Sequence, residues 1–368
     1  MTRVALFIRS LHVGGAEKQS ILLAKALSRY FDARLVVFYP EGEMLDQARQ
    51  EIDKGSLVFL QGQGIPGRLL SLYRYLRNEK IDVLINYLPL NNITGAVAGR
   101  LAGVPVIFGG VRSTKPVRGM IRSAGQKFVL NHLVDGIIAN NSRAVQAYSE
   151  SGYRTGKMHV IHNGIDAGVE KIDRADWSPI TILSVGRFIS EKDYLTAIRA
   201  VSRLCQSDSH RPIRYLIAGY GPERRSILRM IDEEGMIGVI EVLDRPVDIG
   251  MLYRRADIFL MTSVHEGMPN ALMEAMAYSL PVVSTDTGDV SQLVKDGANG
   301  FLRQAADVIG ISDSIGALAE SAELRNRYGA EGKRIISEQF SVKRLAHSHA
   351  SLICGHLGVP LPEPAESP

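Results

Sequence analysis

Short apolar runs alternate with helix-patterned stretches along almost the whole of this chain, and they do so in two successive sets. In the first set, residues 4–8, 34–38, 83–86, 104–108 and 136–139 are four- or five-residue runs rich in Val, Ile, Leu and Phe. Such runs lack the in–out alternation of a half-solvated sheet and read as strands buried on both faces. Helical patterns lie between them, as at 16–29 and 66–78. The second set repeats the scheme, with strands expected at 180–185, 215–218, 239–242, 258–261 and 281–284, and helices at 191–205, 223–233 and 271–278. Strands separated by helices pair in parallel, because each crossover helix carries the chain back over the sheet. The predicted class is therefore α/β, with two doubly wound, Rossmann-like domains, 1–170 and 171–360. The division falls in the charged, irregular stretch that ends at Trp177-Ser178-Pro179. A helix at about 342–355 has no strand after it and is expected to pack back onto the first domain. Residues 361–368 are rich in Pro and Glu and are expected to be disordered. Doubly wound sheets bind ligands beyond the carboxyl ends of their strands, where the strand order reverses. With two such domains, the cleft between them is the expected site.

The 368 residues suit two domains rather than one. The only two cysteines, Cys205 and Cys354, lie far apart, which excludes a disulfide framework or a cysteine-based metal site and suits a reducing compartment. The first apolar run is too short for a signal peptide, and no stretch reaches transmembrane length, so a cytoplasmic protein is expected. Charge is unevenly shared: residues 1–166 hold 21 Lys and Arg against 12 Asp and Glu, whereas residues 167–368 hold 22 against 27. A basic first half suits phosphorylated substrates or an anionic membrane. No aromatic residues interleave with these charges in the manner of a nucleic-acid surface, and no nucleic-acid partner is expected.

Within this frame the most informative segment is Val264-His265-Glu266-Gly267-Met268-Pro269-Asn270-Ala271-Leu272-Met273-Glu274-Ala275-Met276-Ala277. Pro269 suits the first position of a helix, where its missing N–H is not needed. From Ala271 to Ala277 every residue except Glu274 is apolar, as in a buried helix. A carboxylate there needs partners, so Glu274 is expected to face a polar site, with Glu266 lining the same site from the helix start. Free N–H groups and the helix dipole at that end suit phosphate or sugar hydroxyls. The alternative is a glutamate salt-bridged within a core.

Two loops carry related signals. Arg9-Ser10-Leu11-His12-Val13-Gly14-Gly15-Ala16-Glu17 follows a strand and opens a helix. Paired glycines there allow a ligand close to the backbone, or merely a tight turn. Val185-Gly186-Arg187-Phe188-Ile189-Ser190-Glu191-Lys192-Asp193 repeats the pattern, with Ser190 and Asp193 resembling a capping box. Arg187 and Lys192 would then flank a helix N-terminus and oppose its dipole unless an anion lies between them. A diphosphate resolves that conflict; a solvated surface pair is the plainer reading. Asn163-Gly164 is first of all a turn signal. Lys115, Arg118 and Arg122, with Lys127 beyond, make a positive helical stripe interspersed with Met120, Ile121 and Phe128. That stripe is either a solvated face or a contact for anionic lipid or an acceptor's phosphate.

Taken in order, Gly14-Gly15-Ala16-Glu17, Asn163-Gly164-Ile165-Asp166, Gly186-Arg187 with Lys192, Glu266-Gly267-Met268-Pro269-Asn270 with Glu274-Ala275-Met276-Ala277, the line from Pro281 to Asp289, and Asp296-Gly297-Ala298-Asn299-Gly300-Phe301-Leu302 resemble the retaining glycosyltransferases of family 4, over nearly the whole chain. The resemblance implies the GT-B fold and a nucleotide-diphosphate sugar donor, a UDP-sugar rather than a GDP-sugar, held mainly by the second domain without a metal. It casts Arg187 and Lys192 as neutralising the diphosphate, and Glu266 as binding hydroxyls of the transferred sugar. Gly186, Gly267, Met268, Pro269, Asn270, Ala271 and Leu272 would help place the donor, and Glu274 would take the ribose diol. Gly14 and Gly15 would contribute from the first domain. The implied reaction is hexosyl transfer with retention to a glycan or lipid-linked acceptor in bacterial polysaccharide or lipopolysaccharide synthesis, at the inner face of the membrane. Many relatives carry a histidine after the strand at 104–108; here the chain reads Gly109-Gly110-Val111-Arg112, and Arg112 becomes the candidate sugar or acceptor contact. Asp289 stands where many relatives have a second glycine. A nucleotide-sugar epimerase of similar architecture and a non-catalytic sugar-nucleotide-binding protein remain open at this point.

Overall fold

In the first strand, β1 (Arg3–Ile8), Val4, Leu6 and Ile8 enter one apolar cluster while Ala5 and Phe7 enter another on the opposite face. An unbroken apolar run is thus the signature of a strand covered on both sides. The structure is a computed structural model, and it describes residues 1–113, 119–166, 179–207, 211–244 and 248–365, with the side chains of 120–122 also outside the described set. Along the first part of the chain follow α1 (Gly15–Leu27), β2 (Asp32–Val37), α2 (Leu45–Glu51), β3 (Leu57–Phe59), α3 (Gly64–Asn78), β4 (Val83–Asn86), α4 (Pro89–Ala102), β5 (Val106–Val111), α5 (Met120–His132), β6 (Gly136–Ala139), α6 (Ser142–Glu150) and β7 (Met158–Val160). The strands form one parallel sheet in the order β3-β2-β1-β4-β5-β6-β7.

The second part runs β8 (Ile180–Arg187), α7 (Tyr194–Cys205), β9 (Ile213–Tyr220), α8 (Arg224–Glu233), β10 (Ile240–Asp244), α9 (Ile249–Arg255), β11 (Ile258–Met261), α10 (Asn270–Ala277), β12 (Val282–Thr285), α11 (Val290–Leu293), β13 (Gly300–Arg303), α12 (Val308–Glu320) and α13 (Ala322–Gln339), and ends with α14 (Val342–Leu357). Its parallel sheet has the order β10-β9-β8-β11-β12-β13. Two compact units result: Met1–Gly164 with Val342–Pro368, and Ile165–Ser341. Each is doubly wound, so the predicted α/β class and the pair of Rossmann-like sheets are what the chain adopts. Helix α14 belongs to the first unit, where Leu345, Ala350, Ile353 and Cys354 join the cluster built on Val4, Leu6 and Ile8. Within the stretch expected to be disordered, residues 361–365 are described, and Ala365 exchanges hydrogen bonds with Arg29 (N–H to Arg29 O, 2.8 Å; Arg29 Nε to Ala365 O, 3.0 Å). Residues 366–368 lie outside the described set.

Three strands lack a visible sequence signal. The edge strands β3, β7 and β13 are three or four residues long and mostly half-buried, too short to show a period. Strand β5 runs to Val111, three residues past its expected end. The cause is tertiary: the Asn92 amide donates to Gly110 O (2.9 Å) and its oxygen accepts from Gly110 N–H (2.8 Å), acting as a further ladder partner. A side chain at Gly109 or Gly110 would collide with Leu130 or with Asn86 O.

Helix starts differ in informative ways. Pro269 is not the first residue of α10 but its N-cap, in an extended conformation, and the helix begins at Asn270. Nor does α7 begin at 191. Residues Ser190–Lys192 form a 3₁₀ turn, and Asp193, at φ +46°, is the N-cap, its carboxylate accepting from the Thr196 hydroxyl (2.7 Å). The carbonyls that a helix would use are taken from outside. Thr262 Oγ1 donates to Lys192 O (3.2 Å) and Asp193 O (2.9 Å), and Val264 N–H donates to Glu191 O (2.9 Å).

Candidate active site

The sheet order of the second unit reverses between β8 and β11, and the carboxyl ends of those two strands carry the charged residues singled out above. Gly186 is the last residue but one of β8, beside Arg187. A Cβ on Gly186 would lie 2.9 Å from Tyr194 Oη and 3.3 Å from Lys192 Cε, so glycine there makes room for the lysine stem. Lys192 Nζ donates to Glu266 Oε1 at 2.5 Å, and the two side chains are only 18% and 13% exposed. Lys192 therefore does not sit as an uncompensated cation at a helix end: the 3₁₀ turn carries it to a carboxylate 74 residues away. Arg187 is exposed and has no ion-pair partner among the described residues. Burial, with Tyr215 and the Glu266 carboxylate nearby, raises the Tyr194 phenol well above its ordinary pKa. Tyr194 thus stays neutral.

The loop from Thr262 to Pro269 is held from both sides. On one side it takes the carbonyls of the 3₁₀ turn. On the other, the chain after β12 supports it. Thr285 Oγ1 donates to Ser263 O (2.6 Å). The Thr287 hydroxyl donates to Val264 O (3.2 Å) and accepts from Glu266 N–H (3.3 Å). Asp289 N–H donates to Gly267 O (3.0 Å). Gly288 has φ +57°, and a Cβ there would lie 2.3 Å from Glu266 O and 2.5 Å from Gly267 O. Sequence reasoning assigned no role to Thr262, Thr285, Thr287 or Gly288. For Thr285, Thr287 and Gly288 the only signal was the line from Pro281 to Asp289, whose work is to brace another loop; Thr262 carried none.

In α10, Leu272, Met273, Ala275, Met276 and Ala277 are buried, whereas Asn270, Ala271 and Glu274 are half-buried. The side chains of Leu272 and Met268 belong to the apolar core, so what these two offer a ligand is backbone. Tyr253, fully buried on α9, donates to Ala271 O (3.1 Å). Burial and the neighbouring Glu274 carboxylate push its phenol well up. Glu274 thus faces a neutral tyrosine on the core side.

In the first unit the order reverses between β1 and β4. Gly14 is the N-cap of α1 and Gly15 its first residue. The loop before them is pinned: Val13 N–H and the His12 ring contact Glu43 (3.1 and 3.3 Å), and Leu11 exchanges backbone bonds with Glu41 and Met44. The backbone N–H groups of Glu43 and Val13, together with His12, hold the Glu43 carboxyl below its usual range. Arg112 contacts other partners. Its guanidinium stacks on Tyr87 (4.4 Å) and donates to Asn163 Oδ1 (3.3 Å). Asn163-Gly164 does not form the expected turn. The Gln19 amide clamps Gly164 through both O and N–H (2.9 and 3.0 Å), and Leu345 and Val342 crowd its Cα, so glycine here serves close packing.

Of the basic stripe, Lys115, Arg118 and the Arg122 side chain lie outside the described residues. Lys127 is half-buried, with its ammonium over Gly152, and Phe128 beside it is 58% exposed. Among the described residues, no three His, Cys, Asp or Glu side chains gather as metal ligands, and no helix is long and apolar enough to cross a membrane.

Comparison with known proteins places this geometry. The Glycosyltransferase Family 4 model matches residues 13–169, and the Glycosyl transferases group 1 model matches residues 170–335. The chain is 27% identical over 297 residues to the lipopolysaccharide core biosynthesis glycosyltransferase LpsE of Rhizobium meliloti, covering 77% of this chain and 79% of the relative. It is 25% identical over 358 residues to an N-acetylgalactosaminyltransferase of Campylobacter jejuni that acts on a diphospho-undecaprenol-linked sugar, covering 90% and 94%. Its fold is similar to that of Anabaena HepE solved in complex with UDP, with TM-score 0.83, 20% identity and coverage of 96% of this chain and 100% of that one. The fold is GT-B, and the chain belongs to the group 1 glycosyltransferases of family 4.

Proposed function

We propose that the protein is a metal-independent, retaining hexosyltransferase that uses a UDP-sugar and extends a glycan or lipid-linked acceptor in bacterial cell-surface polysaccharide or lipopolysaccharide synthesis. The observation that carries the site assignment is the Lys192–Glu266 pair at the carboxyl ends of β8 and β11, with exposed Arg187 at the end of β8. A diphosphate laid across this edge meets Arg187 as a planar fork and Lys192 as a point charge. Both cations are in place before the bond breaks, and they stabilise the charge that develops on the leaving diphosphate. These side chains supply the charge that a metal would otherwise bring.

Glu266 is the second partner of Lys192. On donor binding it is in position to accept from hydroxyls of the transferred sugar while its backbone stays clamped by Thr287 and Gly288. Gly267, Met268, Pro269, Asn270, Ala271 and Leu272 present backbone along the sugar and diphosphate, Pro269 through its carbonyl alone. Glu274 accepts from the ribose diol. Gly14 and Gly15 offer amides at the start of α1. Retention follows from attack of the acceptor hydroxyl on the face that the diphosphate leaves.

Work at the inner face of the cell membrane suits a lipid-linked acceptor. The relatives' names support this reading: LpsE is a lipopolysaccharide core glycosyltransferase, and the Campylobacter enzyme acts on an undecaprenol-linked sugar. The HepE structure, solved with UDP, supports the choice of nucleotide.

The test is transfer from a UDP-hexose, followed by NMR of the new anomeric centre. The expected product keeps the donor's configuration. Arg187→Ala and Glu274→Ala are expected to lose transfer by at least about a hundredfold with unchanged unfolding midpoints. An inverted product refutes the mechanism, and full activity in both variants refutes the site.

A further inference from the structure

One cation of the first unit, the half-buried Arg112, has no carboxylate partner among the described residues. Arg112 directly follows β5, its guanidinium 4.4 Å from the Tyr87 ring and one hydrogen bond, 3.3 Å long, from the Asn163 amide oxygen. Its Nε and Nη2 are buried and have no acceptor. Among the described residues no carboxylate lies within ion-pair distance of it. The other neighbour, His349 on α14, is fully buried, and burial together with the arginine charge lowers its pKa to about 3, so it too carries no charge. Burying a charge is expensive unless it is paired, and leaving two of its donors unpaired adds to that. A ring, an amide and a neutral imidazole supply no counter-charge. By turning outward the guanidinium gives up one long hydrogen bond and a ring contact.

A second observation lies on the same strand ends. Tyr87 leads into Leu88, which has φ +72° and ψ 154°, a conformation that residues other than glycine rarely adopt. Leu88 is the N-cap of α4, with no side-chain cap of its own. In the first turn of that helix Asn91 is 2% exposed, with an Nδ2 that has no acceptor. Asn92 in turn clamps Gly110, and Gly110 packs against Asn86 O and Tyr87 Cα. The start of α4 and the strand end that bears Arg112 are thereby fixed to one another, next to the β1/β4 reversal.

We propose that Arg112 and the first turn of α4 form a seat for an anionic group, a phosphate or a carboxylate, on one of the two substrates. A planar guanidinium takes such a group through two parallel N–H bonds, and a helix N-terminus adds amides and dipole. The inference rests on the glycosyltransferase reading and narrows it: one substrate carries a negative charge in addition to the nucleotide diphosphate.

The test is NMR of the full ¹⁵N-labelled chain, following the Arg112 Nε–H resonance, which is assigned by its absence in Arg112→Lys. UDP-glucuronate against UDP-glucose tests a charge on the donor sugar. Glucose 6-phosphate against glucose, each with saturating UDP, tests a charge on the acceptor. One charged probe is expected to shift the resonance saturably and to bind at least about tenfold tighter than its neutral counterpart. Arg112→Met is expected to abolish that preference while leaving the affinity for UDP alone unchanged. A resonance that neither charged probe moves overturns the seat, as does a preference that survives in Arg112→Met. Failure of UDP alone to bind counts against the donor reading, separately from the Arg112 result.

Discussion

Gly288→Ala is the sharpest probe of how the loop that carries Glu266 is held. The glycine has φ +57°, and the added Cβ would stand 2.3, 2.5 and 2.8 Å from Glu266 O, Gly267 O and Glu266 C. Left-handed backbone costs a residue with a Cβ about 1–2 kcal/mol. Overpacking against neighbours adds about 1–3 kcal/mol. All three neighbours are backbone atoms, so none can rotate away; relief comes only if the Glu266-Gly267 segment moves. The expected loss is about 2–5 kcal/mol in equilibrium urea unfolding. A displacement near 1 Å at Glu266 is expected to reduce transfer by about a hundredfold. Gly297→Ala is the control. Gly297 has φ +75° but nothing within 4 Å of the new Cβ, so it bears only the backbone term, about 1–2 kcal/mol, and keeps its transfer rate. Equal destabilisation in the two variants, with transfer intact in both, would refute the bracing role of the segment after β12.

The transfer rate should be unchanged by EDTA, and UDP should raise the melting temperature more than GDP at equal concentration, since a ligand of the native state stabilises by mass action; a rate restored only by added divalent metal, or a larger shift with GDP, contradicts the donor assignment. His349 adds a pH dependence. Its folded pKa of about 3 lies below the ordinary value of about 6.5, so the unfolded chain binds the extra proton. Its share of stability is complete well above pH ~6.5 and shrinks as pH falls towards 3, by about 1.4 kcal/mol between pH ~7.5 and ~5.5. Urea unfolding at pH 7.5 and 5.5 should show a smaller pH difference in His349→Gln than in the wild type. Vesicles containing anionic lipid should retain the protein at low salt and release it at high salt, with retention weakened when Lys115, Arg118 and Arg122 are changed to Glu; retention unaffected by those changes removes the stripe as the membrane contact.

Much of the site was legible as chemistry but not as geometry. The residue types at Arg187, Lys192, Glu266 and Glu274 stand out because charges are rare at the ends of buried strands and inside an apolar helix. Their arrangement did not. Lys192 was expected at a helix N-terminus, yet Thr262 and Val264 take the carbonyls of residues 191–193, tighten the turn and deliver the ammonium to Glu266. Asn163-Gly164 signalled a turn, but the Gln19 clamp and the crowding by α14 make its glycine a matter of packing.

By itself the sequence determined the class of fold, because an apolar run such as Val4–Ile8 has no stable place except within a sheet covered on both faces, and because the helices between such runs impose parallel pairing. It also determined which side chains were available for chemistry. Only the tertiary structure decided the strand order, and with it the reversals at β1/β4 and β8/β11 where those side chains gather. Successive strand–helix units look alike in sequence, so nothing local marks where the winding changes direction. Likewise only the fold decided that Gly109 and Gly110 lie within a strand and that Glu266 meets Lys192. Each of those outcomes depends on a partner tens of residues away, such as the Asn92 amide or the Thr262 hydroxyl, whose hydrogen bonds replace those that the local sequence would otherwise make.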